Sequence, residues 1–160
     1  MGGVELDLRN PVQVHEAYRS IERATAAVPG IKFEGCLVQE MIDGQIELVI
    51  TTHWDAQFGA MISVGMGGFV MDLLDDAVPA PAPVDAVFAR LMLERLRGAP
   101  LLHGYRGRAK ANVAAIAETV ARVSQLAAVL GPRLIELKVN PLVVSTERAV
   151  VADAVGVLAE

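Results

Sequence analysis

Two oxygen-bearing side chains late in the chain, Asn140 and Asp153, are the first candidates for chemistry. Asn140 ends the run Glu136-Leu137-Lys138-Val139-Asn140, in which polar and apolar residues alternate as on a half-buried strand. Pro141 then removes a ladder donor, so strand pairing is expected to change there or to lie at a sheet edge. The short polar link Ser145-Thr146-Glu147 suits a hairpin into a second strand over residues 148–154. Such a hairpin brings Asn140 and Asp153 side by side, and an amide oxygen beside a carboxylate suits a hard cation such as Mg²⁺. The competing reading of the same spacing is an ordinary hairpin with an asparagine at a turn.

Two further stretches carry chemical possibilities. In Gly65-Met66-Gly67-Gly68 the glycines permit positive φ and close backbone approach, and they equally suit a tight bend between strands. The cluster leads into a strand rather than a helix, so it is not a dinucleotide fingerprint. Arg106 sits in the irregular basic loop 101–108, either as a phosphate contact or as a solvated charge. The single cysteine, Cys36, cannot form an internal disulfide; it reads as an inert thiol in an apolar strand and fits a reducing cytoplasm.

The elements that must position these residues follow from pattern. Residues 3–9 alternate as a short strand, and Asn10-Pro11 reads as an N-cap and first position of a helix over 12–28, stopped by Pro29-Gly30. Residues 35–42 and 45–53 read as strands joined by a hairpin at Asp43-Gly44, followed by a loop over 54–59. Strands are expected at 60–64 and 69–76, then a proline-rich connector over 77–85. Asp85 caps a helix over 86–96, and Asn112 caps the longest helix, which runs to 130 and ends at Gly131-Pro132. Several hairpins with interspersed helices give an α+β class with a largely antiparallel sheet.

Composition sets bounds. A chain of 160 residues is expected to form one domain spanning 1–160 and to bury a real core. It is 53% hydrophobic and 21% charged with a net charge of −5, no basic run and 4% aromatic residues, so nothing favours nucleic acid as a partner. No apolar run is expected to reach the roughly 20 residues of a membrane span, and no signal peptide is visible.

Several stretches, taken together and in order, resemble one family. They are Gly2-Gly3-Val4-x-Leu6-x-Leu8, Leu37-Val38-Gln39-Glu40-Met41, Glu47-Leu48-Val49, Asp55-x-Gln57-Phe58-Gly59, Gly65-x-Gly67-Gly68, Gly104-Tyr105-Arg106-Gly107 and Glu136-Leu137-x-x-Asn140-Pro141-Leu142. The chain resembles the ATP-grasp part of NDP-forming acyl-CoA synthetases, relatives of the succinyl-CoA synthetase β subunit. The resemblance implies an ATP-grasp-like subdomain, a nucleotide cleft, and ATP and Mg²⁺ as cofactors. It implies that Glu40 and Met41 meet adenine with Glu47 nearby, that Gly65, Gly67, Gly68 and Arg106 bind nucleotide, and that Asn140 and Asp153 hold the metal. The partners implied are a CoA-binding synthetase subunit or an acetyltransferase, with a homo-oligomer as a further option.

Departures from the family pattern bear on function. Lys138 stands where the family usually has an acidic residue two positions before the Asn of its Asn-Pro-Leu motif. The segment Val78-Pro79-Ala80-Pro81-Ala82-Pro83 lacks the arginine the family tends to carry there. The family's segment with a nucleotide-binding lysine is expected ahead of Gly2, and His15, His53 and His103 have no phosphohistidine context. Two readings follow: a nucleotide-binding fragment or subunit of such a synthetase, inactive alone, or a degenerate regulatory module of the kind found in acyl-CoA-responsive protein acetyltransferases.

Overall fold

Ile46, Leu48, Ile50 and Thr52 alternate along β1 (Ile46–Asp55) and all four are buried, as the period of a strand packed on one face requires. In the computed structural model, which describes residues 2–44, 46–68 and 76–159, β1 is the centre of an antiparallel sheet. The other strands are β2 (Gly59–Met66), β3 (Ala77–Pro81), β4 (Leu134–Val144), β5 (Ala149–Val151) and β6 (Ala154–Leu158). Their order is β3-β2-β1-β4-β5, with β6 also paired to β4. The chain divides into two compact units, Met1–Met41 and Ile42–Glu160, and the sheet belongs to the second.

The first unit is built on helix α1 (Pro11–Ala26). Asn10 caps it by accepting from the Gln13 amide at 2.9 Å, and Gln13 Oε1 accepts in return from the Arg9 amide at 2.8 Å. Tyr18 packs edge-to-face on Phe33 with centroids 5.4 Å apart. The strands expected over 3–9 and 35–42 do not form: residues 2–9 and 31–44 enter no ladder among the described residues. Val4, Leu6, Leu37 and Val38 are exposed instead. Alternation marks which side chains would share a face, but a strand also needs a neighbouring edge to bond to.

The hairpin expected at Asp43-Gly44 fails for the same reason. Both edges of β1 are occupied, by β2 on one side and β4 on the other, so residues 35–42 find no edge there. Gly44 lies directly against the Val143 side chain, which leaves no room for a Cβ. The β1–β2 hairpin turns over residues 56–58, inside the expected loop. Asp55 Oδ1 accepts from the Gln57 and Phe58 amides at 2.7 and 2.9 Å. These two bonds hold the Asp55 carboxyl below its ordinary pKa.

The proline-rich connector proves to be an edge strand, β3, paired to β2 with Pro79 opposite Ser63 and Pro81 opposite Met61. The Ala82 amide bonds Ala60 O at 2.8 Å, so alternate amides reach β2 and the proline nitrogens face outward, where no ladder donor is needed. The strand expected over 69–76 falls on residues that, apart from Asp76, lie outside the described ones, and Asp76 is not in a strand.

Helices α2 (Ala86–Glu94), α3 (Ala99–Leu102) and α4 (Val113–Leu130) cover one face of the sheet. Asp85 and Asn112 cap α2 and α4, accepting from the Phe88 and Ala115 amides at 2.7 and 3.0 Å. Leu48, Ile50, Ile62, Val64 and Leu142 pack with Met92, Leu93, Leu102, Ile116 and Val120, each burial contributing about 1.5–3 kcal/mol. One helix, Val113–Arg133, is long and apolar enough to cross a membrane, contrary to the sequence expectation. Its apolar face is the one that covers the sheet, with Ile116, Ala117 and Val120 buried in the core.

Two buried hydroxyls test this packing. Ser124 Oγ accepts from the Val84 amide at 3.0 Å, and Ser124→Ala leaves that donor unpaired, with an expected loss of about 1–3 kcal/mol. Thr52 Oγ1 is buried with no partner, and Thr52→Val is expected to be neutral or to stabilise by up to about 1 kcal/mol. Urea unfolding of both variants checks the pair of opposite signs.

Candidate functional site

Glu47 is the second residue of β1, and its neighbours are Gly67 and Gly68, which follow β2, whereas Gly65 lies within β2. The Gly67 amide donates to Glu47 O at 2.6 Å. A Cβ on Gly67 would lie 2.9 Å from both the carbonyl carbon and oxygen of Glu47, and one on Gly68 would lie 3.3 Å from Glu47 Oε2. Gly68 adopts a φ of 68°, which disfavours any other residue. A Cβ on Gly65 would lie 2.8 Å from Asp76 O. The glycines therefore serve close approach, and they carry the backbone past an exposed carboxylate.

Asp76 anchors this turn and was not legible as a site residue. It is 5% exposed, its two carboxylate oxygens accept from the Arg97 and Gly98 amides at 2.8 Å each, and its carbonyl accepts from the Met66 amide at 3.2 Å. It ties the corner between α2 and α3 to the end of β2. The only local hint in the sequence is Gly98, where a Cβ would fall 2.6 Å from Met66 Cγ.

Asn140 and Asp153 come together as expected. The register pairs Val139 with Ala154 and Leu142 with Val151, which sets Asn140 opposite Asp153, and the Asn140 amide donates to Asp153 O at 3.0 Å. Both residues are exposed. Pairing does change at Pro141: β5 gives way to β6 there, and the β1–β4 ladder shifts register between Leu48 and Ile50. The expected second strand of the hairpin is split into β5 and β6, and pairing continues past residue 154 to Leu158.

The fit to a divalent cation is poor. Two oxygen donors stand side by side, but Asp153 Oδ1 already accepts from the Ala154 amide at 2.8 Å. Among the described residues no three His, Cys, Asp or Glu side chains gather as a metal cluster. Lys138, exposed and two residues from Asn140 on the same strand, directs an ammonium to the same face.

The remaining predicted residues are dispersed. Glu40 and Met41 belong to the extended end of the first unit, whereas Glu47 belongs to the second. Arg106 lies in a single 3₁₀ turn (Tyr105–Gly107) with φ 51° and ψ 45°, its guanidinium 5.3 Å from the Tyr105 ring centre. An open cleft of about 320 Å³ near the start of β1 is lined by Asp43, Gly44, Ile46, Lys110 and Ser145, and by none of the candidate nucleotide or metal residues.

With this geometry in place the class is defined: residues 1–158 match the ATP-grasp domain, and the chain belongs to that family. It is 33% identical over its whole length to acetate–CoA ligase [ADP-forming] I of Archaeoglobus fulgidus, of which it spans 23%. It is 29% identical over 154 residues to the β subunit of acetate–CoA ligase [ADP-forming] I of Pyrococcus furiosus, spanning 66% of that protein. Among solved structures, the dinucleotide-forming acetyl-coenzyme A synthetase 1 of Ca. Korarchaeum cryptofilum superposes with a TM-score of 0.91 at 32% identity. That match covers 99% of this chain and 69% of the other. A second structure of that enzyme, with a TM-score of 0.85, contains coenzyme A and Mg-AMPPCP. The sheet with its flanking helices is thus the ATP-grasp fold of these synthetases, and the chain is an ATP-grasp segment resembling their β subunits.

Gly67→Ala is expected to lower stability by about 1–3 kcal/mol, because the new methyl meets backbone rather than a movable side chain. Urea unfolding measures it. A variant as stable as the parent would show that Glu47 and the turn are not in close contact.

Proposed function

We propose that this chain is the nucleotide-binding ATP-grasp part of an NDP-forming acyl-CoA synthetase, acting with a CoA-binding partner subunit in the cytoplasm and inactive by itself. The observation that carries the reading is the turn Gly65–Gly68 packed on Glu47, where backbone amides and a carboxylate meet with no Cβ between them. The Met66 and Gly67 amides are taken by the Asp76 and Glu47 carbonyls, so the exposed Gly68 is the position of this turn open to a phosphate oxygen. Glu40 and Met41 are assigned to adenine and Arg106 to phosphate; a metal carried in with the nucleotide would fall to Asn140 with Asp153, a pair that Lys138 weakens. Phosphoryl transfer in such an enzyme rests on positioning and charge stabilisation, which a metal-loaded nucleotide supplies.

A second reading is favoured by one residue. Lys138 presents its cation beside Asn140, and two unit charges 4 Å apart repel by about 4 kcal/mol at an effective dielectric of 20, twice that for a divalent ion. An exposed lysine swings away and relieves part of this. The metal site is then weakened, which suits a regulatory module that no longer catalyses.

Lys138→Asp replaces the cation by an oxygen ligand and is expected to tighten Mg²⁺ binding at least about ten-fold. Calorimetric titration of Mg²⁺ and Mg-ATP into both forms is the test. Mg-ATP binding that is tight in the parent and unchanged in Lys138→Asp would remove the metal assignment. ADP or GDP formation from acyl-CoA substrates by the purified chain alone would remove the claim that it is inactive by itself.

A further inference from the structure

The poor fit to a metal has a counterpart one row along the sheet. Thr51 on β1 lies directly opposite Ser63 on β2 and directly opposite Lys138 on β4. Their strand neighbours Ile50, Thr52, Ile62, Val64 and Val139 are buried in the core, so by alternation Ser63, Thr51 and Lys138 share the other face, turned away from α2 and α4. Directly opposed residues hold their Cβ atoms about 5 Å apart, so the row spans roughly 10 Å. Ser63 and Thr51 are half-buried and Lys138 is exposed. Among the described residues none of the three side chains makes a hydrogen bond or ion pair. The hydroxyls of Thr25, Thr119, Ser124 and Ser145, by contrast, all bond the backbone. The same face carries Asn140 beside Lys138, and the carboxylates of Glu136 and Asp153, which leave the ammonium unpaired.

We propose that Ser63, Thr51 and Lys138 form an anion seat that takes the phosphoryl oxygens of a di- or triphosphate directly, without a divalent metal. Two hydroxyl donors and one ammonium in a line can converge on one polyphosphate because the lysine side chain is long enough to reach back along the row, and a charge-assisted bond from lysine to phosphate is strong. The ammonium supplies the positive charge that a metal ion would otherwise bring, and the Asn140 amide group, beside Lys138 on β4, is a further donor within reach. This inference rests on the nucleotide-binding reading above and specifies how the phosphate arm is held.

The test titrates ATP and inorganic tripolyphosphate into the full chain by calorimetry, once in EDTA and once in excess Mg²⁺. Binding in EDTA is expected to be at least as tight as in Mg²⁺. Lys138→Ala is expected to weaken metal-free binding about ten-fold or more, Thr51→Val and Ser63→Ala about three-fold each, and Lys138→Arg is expected to retain most of it. Circular dichroism confirms folding of each variant. ATP binding that requires Mg²⁺ and is indifferent to Lys138→Ala overturns the seat but leaves nucleotide binding standing. Tripolyphosphate binding in EDTA without ATP binding supports the seat and overturns the nucleotide. Absence of binding by either ligand in both conditions overturns both.

Discussion

The occupation of both edges of β1 is the constraint on which the second unit depends. A strand bonded on two sides has no freedom of register, since a slip of one residue would turn Leu48, Ile50 and Thr52 outward and bring Glu47, Thr51 and His53 into the core. Fixed in this way, β1 presents Glu47 to the glycine turn at its start, Thr51 to Ser63 and Lys138 at its middle, and Asp55 to the hairpin turn at its end. Each candidate polar group on this unit's open face is placed by that one register.

The irregularity at Pro141 resolves a conflict on the other side of β1. Along β4 the core receives Val139 and then Leu142 and Val144, a change of parity that simple alternation forbids. The ladder accommodates it by setting one extra residue of β4 between the pairs Leu48–Leu142 and Ile50–Val139. The proline, which has no amide hydrogen, sits within that interruption. Its consequence is local and functional: Asn140 faces outward next to Lys138, and the chain passes from β5 to β6 at Asp153, across from it.

Charge decides what such a face accepts. Relatives within the synthetase family include an enzyme whose structure holds a magnesium nucleotide analogue. In this chain a lysine shares the face with the two oxygen donors. An ammonium and a divalent cation compete for the same space, whereas an ammonium and a phosphate attract. The glycine turn begins two residues beyond Ser63 on the same strand and is held by the buried carboxylate of Asp76 through the amides of Arg97 and Gly98.

The sequence by itself determined the three long helices, their caps and the family, whereas the short α3 lies partly on residues expected to form an irregular loop. Asn10, Asp85 and Asn112 cap by bonding amides three residues away, and Gly131-Pro132 ends α4 through backbone limits within a residue or two. The adjacency of Asn140 and Asp153 was legible because a short hairpin fixes it. Only the tertiary structure decided which strands exist. Residues 3–9 and 35–42 carry the right alternation and join no ladder, while the proline-rich 77–81 does, because strand pairing is set by which distant edge is open. The same holds for Asp76 and for the row Ser63–Thr51–Lys138. Their partners lie 12 to 87 residues away in sequence, and no local pattern encodes a contact made across strands.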